Sequence, residues 1–294
     1  MSRGFWLWLV AILITLAFAR YQRVTGPTQP FAGATTVGGA AIRYTIDRAH
    51  PGPGDHPVRV RAEDAAVTGE VAWRPHGQRG GWRMTPMQRE GGELIARLPN
   101  QPWGGKLDFR VRLAREGRTV VLPESGNLVV RFRGEVPLWV VVPHVFAMFF
   151  AMLFSTRAGL EAFRSPARLR GLATWTVVTF FLAGFVFGPL MTWYAFGMWW
   201  TGFPVGNDPT DNKTTVAMIG WLLALIFIRR GRADRAWAVT AALVMLLVFA
   251  IPHSIAAGAR PPDPADAPLW GETAPGGQAA LPADTAAGDA GAAR

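Results

Sequence analysis

Two histidines set in apolar sequence are the first candidates for chemistry. His144 and His253 each follow a proline, in Val142-Pro143-His144 and Ile251-Pro252-His253. Ionisable residues inside such segments are uncommon and often functional. Each lies roughly six residues from one end of its apolar run, about 9 Å along a helix. Two imidazoles at one depth on neighbouring helices would ligate a b-type haem or a small metal ion. The competing role is structural: a proline leaves a carbonyl without its helical donor, and an imidazole N–H can supply one.

A second constellation is Asn207, Asp208, Asp211 and Lys213, at the end of an aromatic run that begins Trp193-Tyr194 and includes Trp199-Trp200. Asp208 and Asp211, with Asn207, are candidate cation ligands. With Lys213 the two carboxylates are also a candidate polar site for a membrane enzyme. The spacing is not that of an EF-hand, which needs a central Gly and a terminal Glu. The structural alternatives are an Asp208-Pro209 turn, a helix cap at Thr210 or Asp211, and rings at headgroup level.

Further along the polar part of the chain, Trp73, Trp82 and Trp103 are candidates for a sugar-stacking platform, against the alternative of core or rim packing. His50, His56 and His76 lie in Gly/Pro-rich surroundings and are weaker metal candidates. Gly184 and Gly188 are four apart, a small-x-x-x-small pattern that lets another helix approach closely. Pro189 beside them is expected to kink the helix.

The elements that must position these residues follow from the distribution of apolar residues. The chain has 294 residues, half of them hydrophobic, and a formal charge of +10. The apolar residues concentrate in long runs, which excludes a purely soluble enzyme. The absence of cysteine excludes disulfides, Cys-ligated zinc, iron–sulfur clusters and covalent c-type haem. Only Lys106 and Lys213 are lysines among 30 basic residues, a bias that reads as base composition rather than nucleic-acid chemistry.

The first run, 5–19, is either a signal anchor or a cleaved signal ending at Ala17-x-Ala19; its flanking Trp6, Trp8 and Tyr21 favour the anchor. Four further spans are expected over 138–156, 172–194, 212–229 and 236–258, each near the roughly 20 residues that cross a bilayer. Arg157, Arg164, Arg168 and Arg170 follow the first of them, and Arg229, Arg230, Arg232 and Arg235 precede the last. The positive-inside rule puts both clusters in the cytoplasm. Residues 20–136, the 195–211 loop and the C-terminal tail then face outside.

Between the anchor and the later spans the pattern changes to period two. Val58 and Val60 alternate with Arg59 and Arg61, and Leu107, Phe109, Val111 and Leu113 with Asp108, Arg110 and Arg112. Such alternation marks strands with one buried and one wet face. Gly38-Gly39, Gly91-Gly92, Glu116-Gly117 and Ser125-Gly126 mark turns. Eight or nine strands are expected, as an all-β sandwich of immunoglobulin or fibronectin type. The expected organisation is an anchor or signal at 1–22, an extracytoplasmic sandwich at 30–136, a four-helix membrane domain at 137–259 and a disordered extracytoplasmic tail at 260–294. No carboxylate relay is evident within the spans; Glu161 is expected in a cytoplasmic loop.

The segments Gly105-Lys106-Leu107-Asp108-Phe109-Arg110-Val111, Ser155-Thr156-Arg157-Ala158-Gly159-Leu160-Glu161 and 206–214 resemble those of an uncharacterised family of bacterial multi-pass membrane proteins with an extracytoplasmic immunoglobulin- or fibronectin-like domain. The resemblance covers most of the chain. It implies an architecture in the bacterial inner membrane and no activity, so it carries over no catalytic residue.

The leading expectation is a non-catalytic accessory or structural subunit of a respiratory, photosynthetic or envelope complex. Its partners would be the lipid bilayer and other membrane subunits, with no nucleic acid and no resident cofactor. The alternatives are a redox or metal-handling protein with haem b or a metal at His144 and His253, and a membrane enzyme built on Asp208, Asp211 and Lys213.

Overall fold

The computed structural model describes residues 3–26, 29–164, 167–232, 234–251 and Trp270. Helix α1, Arg3–Thr25, leads into eleven strands: β1 Phe31–Val37, β2 Ala40–Ile46, β3 Ala49–Pro51, β4 His56–Arg61, β5 Thr68–Pro75, β6 Arg83–Pro86, β7 Gln88–Glu90, β8 Glu93–Leu98, β9 Lys106–Arg115, β10 Arg118–Leu122 and β11 Leu128–Arg133. The helices follow: α2 Leu138–Glu161, α3 Leu169–Phe181, a π-helical segment Leu182–Phe187, α4 Gly188–Phe196, α5 Pro209–Arg229 and α6 Asp234–Ala250.

The strands form two sheets over one core. One has the order β1-β2-β4-β8-β7; the other has the order β3-β11-β9-β5-β6, with β10 also paired to β9. Every pairing is antiparallel except that of β3 with β11. The period-two pattern explains the layering. Val58 and Val60 point into the core, and Arg59 and Arg61 point to solvent. Leu107, Phe109, Val111 and Leu113 of β9 are fully buried against Ile42, Leu98 and Val130. Burial of each such side chain is worth about 1.5–3 kcal/mol before chain entropy is counted. The β1–β2 turn at Gly38-Gly39 has positive φ at both residues, 53° and 83°, the geometry of a two-residue hairpin. Glu116-Gly117 repeats it between β9 and β10, at φ 50° and 76°.

Four helical stretches, 4–25, Leu138–Glu161, Leu169–Phe196 and Pro209–Arg229, are long and apolar enough to cross a membrane. Helix α6 is shorter, with 17 residues, and packs against α2 and α5. Small residues line the bundle interior: Ala151, Ala158, Ala173, Ala217, Ala238 and Ala241 surround Trp221, Phe180 and Met245. Close approach through small side chains is how helices pack where lipid removes the hydrophobic drive. The break expected near Pro189 is present as the π segment just before it, because proline lacks the N–H that an α-turn there would use.

Helix α2 runs five residues past its expected end, which moves Arg157 and Glu161 from the predicted loop into its last turns. The 260–294 tail lies outside the described residues except for Trp270, whose ring sits under Arg112 of β9, 5.9 Å from its guanidinium.

Candidate functional site

The polar cluster after the aromatic run is assembled by a loop folded over the start of α5. Asp208 is the helix cap, accepting from the Thr210 N–H at 2.7 Å. Asp211 reaches back instead: its Oδ2 accepts from the Thr201 N–H and hydroxyl, both at 2.7 Å, and from the Gly202 N–H at 3.1 Å. Asn212 Oδ1 accepts from the Phe203 N–H at 2.7 Å. Gly202 is required here, since a Cβ would lie 2.7 Å from that of Asp211. Trp193 stacks on Trp199 and Phe185 on Trp200. The two carboxylates thus point to different donors, and Asp211 is committed to three, two backbone N–H groups and one hydroxyl. Lys213 donates to the Ile251 carbonyl at the end of α6, as does Gln22 of α1. The void beside Lys213, lined by Met148, Phe180, Thr214, Val248 and Phe249, measures about 10 Å³, room for roughly one water.

His144 donates its Nδ1–H to the Ala183 carbonyl at 3.1 Å. That acceptor belongs to the π segment of the neighbouring helix, where Ala183 O also receives the Gly188 N–H. The imidazole therefore serves a proline-associated irregularity, but the one at Pro189 rather than its own Pro143. His253 lies outside the described residues. Gly184 and Gly188 have different surroundings. A Cβ on Gly184 would lie 2.6 Å from Thr214 Cγ2 on α5, whereas Gly188 meets only the Ala183 carbonyl of its own helix, at 3.3 Å. Among the described residues no group of three or more His, Asp or Glu side chains is placed to hold a metal ion.

The same end of the bundle carries the sheets. The Gly134 N–H donates to the Ala195 carbonyl at 2.9 Å. A Cβ at Gly134 would collide with the Tyr194 carbonyl and crowd the Trp103 ring. The Arg131 guanidinium stands 4.2 Å over the Phe196 ring. Burial lowers the pKa values of Arg131 and Lys106, and Asp208 opposes both shifts, so the α5 cap is electrostatically linked to β9 and β11.

At the opposite end, Arg157 and Glu161 form an ion pair of 2.7 Å with side chains only 5% and 3% exposed. Glu161 also accepts from the Arg168 N–H at 3.2 Å and from Arg164, and Arg157 lies 5.3 Å from the Trp8 ring of α1. Nearby, the Trp221 indole donates to Ser155 Oγ at 3.2 Å. This pair was missed in the sequence because the arginine cluster masked its i,i+4 spacing, which is the signal that would have found it.

In the sheets the indoles have separate partners. Trp73 is buried and donates to Thr85, Trp82 lies 4.3 Å from the Arg74 guanidinium, and Trp103 is 58% exposed beside Gly134. His76 donates to Asp108 at 2.5 Å, and Arg74 stands 3.7 Å from the same carboxylate. Asp108 departs from the expected wet face of β9: it is buried beneath this charge cluster. His50 and His56 meet each other, edge to face, with ring centres 5.5 Å apart. Compared with family models and with curated protein sequences, the chain matches none.

Proposed function

We propose that this is a non-catalytic integral membrane protein, an accessory or structural subunit that holds one partner with its sheets and another in the bilayer. The observation that carries the reading is the junction between sheets and helices. Gly134 on Ala195, Arg131 on Phe196, and the Asp208 cap beside Lys106 join the two domains there. A docked partner would thereby be positioned relative to the bilayer. The residues with the best claim to chemistry are occupied in holding the helical part together: Asp208 caps, Asp211 ties the loop, and His144 holds the π segment.

The reading includes an immunoglobulin- or fibronectin-like type for the sheets and a place for them outside the bacterial inner membrane, with the Arg157–Arg170 region and the Arg229–Arg235 region in the cytoplasm. The hydrogen bonds of Gln22 and Lys213 to the end of α6 support one common side for the ends of α1 and α6. The Arg170 bond to the Arg229 carbonyl ties the arginine clusters together at the other. Because the Gly184 face meets α5, the bilayer partner would sit instead on an outward apolar face; that of α2, with Val142, Val145, Phe146 and Phe150 exposed at helical spacing, is one, and that of α5, with Val216, Ile219, Leu223 and Ile226, is another.

Purification from native membranes in a gentle detergent tests the proposal. Stoichiometric co-purifying subunits that are lost with Phe146→Ala or a change at exposed Trp103 are the expected result. A monodisperse single chain carrying a Soret band would replace it with the haem reading at His144 and His253. Single cysteines at Ser125 and Asn207 should react with an impermeant thiol reagent in spheroplasts, and one at Ser165 should not; the reverse pattern would invert the orientation.

A further inference from the structure

The two sheets present unequal outer faces. On the β1-β2-β4-β8-β7 sheet the outward arginines Arg43, Arg59, Arg61 and Arg97 are exposed. On the other sheet the outward positions of β5, β9 and β11 are covered. Ala72, opposite Arg110, is 0% exposed, and Val129, opposite Asp108, is 4% exposed, although neither belongs to the core between the sheets. Arg110 and Arg112 are themselves partly buried. A sheet face turned to water leaves such side chains wet. Near the helices Phe196 lies against Arg131, and further along Trp82 lies against Arg74. Beyond these, at Arg112, the covering ring is that of Trp270.

Trp270 belongs to the C-terminal part of the chain. Its ring is partly buried, its Nε1 is enclosed, and it lies 5.9 Å from the Arg112 guanidinium, within cation–π range. The chain can reach this place. The carbonyl of Ile251, just past α6, accepts from Gln22 and Lys213 at the end of the bundle that carries the sheets. The nineteen residues from there to Trp270 span up to about 60 Å. The charges also match. The outward face holds Arg74, Lys106, Arg110, Arg112 and Arg131 against Asp108 and Glu70. Residues 261–276 hold Asp263, Asp266 and Glu272 and no basic residue. Five prolines in that stretch narrow its unbound conformations, which lowers the cost of ordering it.

We propose that the outer face of β9, with its neighbours β5 and β10, is a recognition surface for an acidic, proline-rich peptide carrying a tryptophan, and that this chain fills it in cis with residues 261–276. Trp270 is the anchor, set on Arg112, whose strand neighbours are Glu70 of β5 and Val121 of β10. The indole supplies apolar area and a π face to the guanidinium. The three carboxylates of the segment answer the surplus of basic groups on the face. Tethering makes the contact effective. A short linker holds the segment at about millimolar effective concentration, so a contact too weak for a free peptide persists within one chain. This goes beyond the accessory-subunit reading and constrains it: the docked segment closes this face to other proteins and leaves the arginine-bearing face of the other sheet open.

The test is photo-cross-linking of the full-length protein in native membranes, with p-benzoylphenylalanine in place of Trp270. Irradiation should join position 270 to β9, β5 or β10 of the same chain, read by mass spectrometry of the linked peptides. Arg112→Gln should lower the yield about fivefold or more. Asp263→Asn, Asp266→Asn and Glu272→Gln together should lower it as well and remove its sensitivity to salt. That triple variant leaves the sheets untouched, so it decides alone if Arg112→Gln disturbs its strand. Cross-links to lipid, to another protein or to a second copy in place of the chain's own sheet would overturn the proposal. So would a yield that neither the Arg112 variant nor the triple variant changes.

Discussion

In the sheets, most of the fully buried side chains are large, among them Ile42, Val58, Val60, Leu107, Phe109 and Phe132. In the helix bundle they are mostly alanines around one indole, Trp221, with Ser155, Thr156, Arg157, Glu161 and Thr176 among them. The difference reflects the solvent each half is built against. Water drives large apolar groups inward, so a sheet core can rely on volume. Lipid gives no such drive, so the bundle relies on close approach and on polar pairs that lipid cannot replace. Loss of volume should therefore harm the sheets most, and loss of a polar partner should harm the helices most.

The largest effect is expected at Glu161. Glu161→Ala leaves Arg157 buried without its partner, which should cost about 3–5 kcal/mol. The variant should lose its folded helices on heating in detergent while the sheet amides keep their hydrogen-exchange protection. Replacing both partners, Arg157→Leu with Glu161→Leu, should recover most of the loss. A double variant as unstable as the single one would mean that the pair specifies the packing of α1 and α2 and does more than cancel its own charge.

Acid sharpens the comparison from the sheet side. Burial holds the His56 pKa below its unfolded value of about 6.5, at about 4. Above both values the ring is neutral in either state, and the native contribution is complete. As pH falls from about 6.5 to 4 the unfolded chain takes up a proton that the folded chain refuses, so stability falls, by about 3 kcal/mol in all. His56→Phe should flatten that slope. Exchange protection of β3, β4 and β11 should report it, and a slope that survives the substitution would assign the acid sensitivity elsewhere.

The halves also differ in how much of them can be read from residues. Alternation at Val58–Arg61 and along β9 marked the sheets because period two reports which face is wet. It misplaced Asp108, whose burial depends on Arg74 and His76 brought alongside from another strand. Apolar runs marked the helices but not their ends: Arg157 and Glu161 look like loop charges until their mutual pairing permits α2 to continue. The His144 acceptor was out of reach for the same reason, since Ala183 O is 39 residues away and exposed to a donor only by the π segment. His50 and His56 were legible as residue types, but their meeting depends on which sheet each strand joins.

A smaller effect separates the two glycines. Gly184→Ala puts a methyl 2.6 Å from Thr214 Cγ2 and should cost about 1–3 kcal/mol as overpacking. Gly188→Ala, 3.3 Å from a carbonyl of its own helix, should be near neutral or slightly stabilising, because alanine favours the helix. Thermal unfolding in detergent measures both. A similar cost at the two positions would place another close contact at Gly188.

The smallest expected effect lies where the two halves meet. Asp208 has two roles there, as cap of α5 and as the carboxylate facing Lys106 and Arg131. Asp208→Ala removes both, and the cap alone is worth about 1 kcal/mol. Asp208→Asn keeps the cap, since Asn serves as well as Asp at that position, and removes only the charge. Without that charge the depressed pKa values of Lys106 and Arg131 should fall further, because burial is then less opposed. Exchange at the first turn of α5 should rise in Asp208→Ala but not in Asp208→Asn. Exchange at Gly134 and along β11 should rise in both, by less than the cap effect, because partly exposed charges are screened. Equal loosening of the first turn by both variants would make Asp208 chiefly an electrostatic tie between the sheets and the helices. No response at Gly134 would leave the backbone contact with Ala195 and the Arg131–Phe196 stack as the interactions that hold the junction.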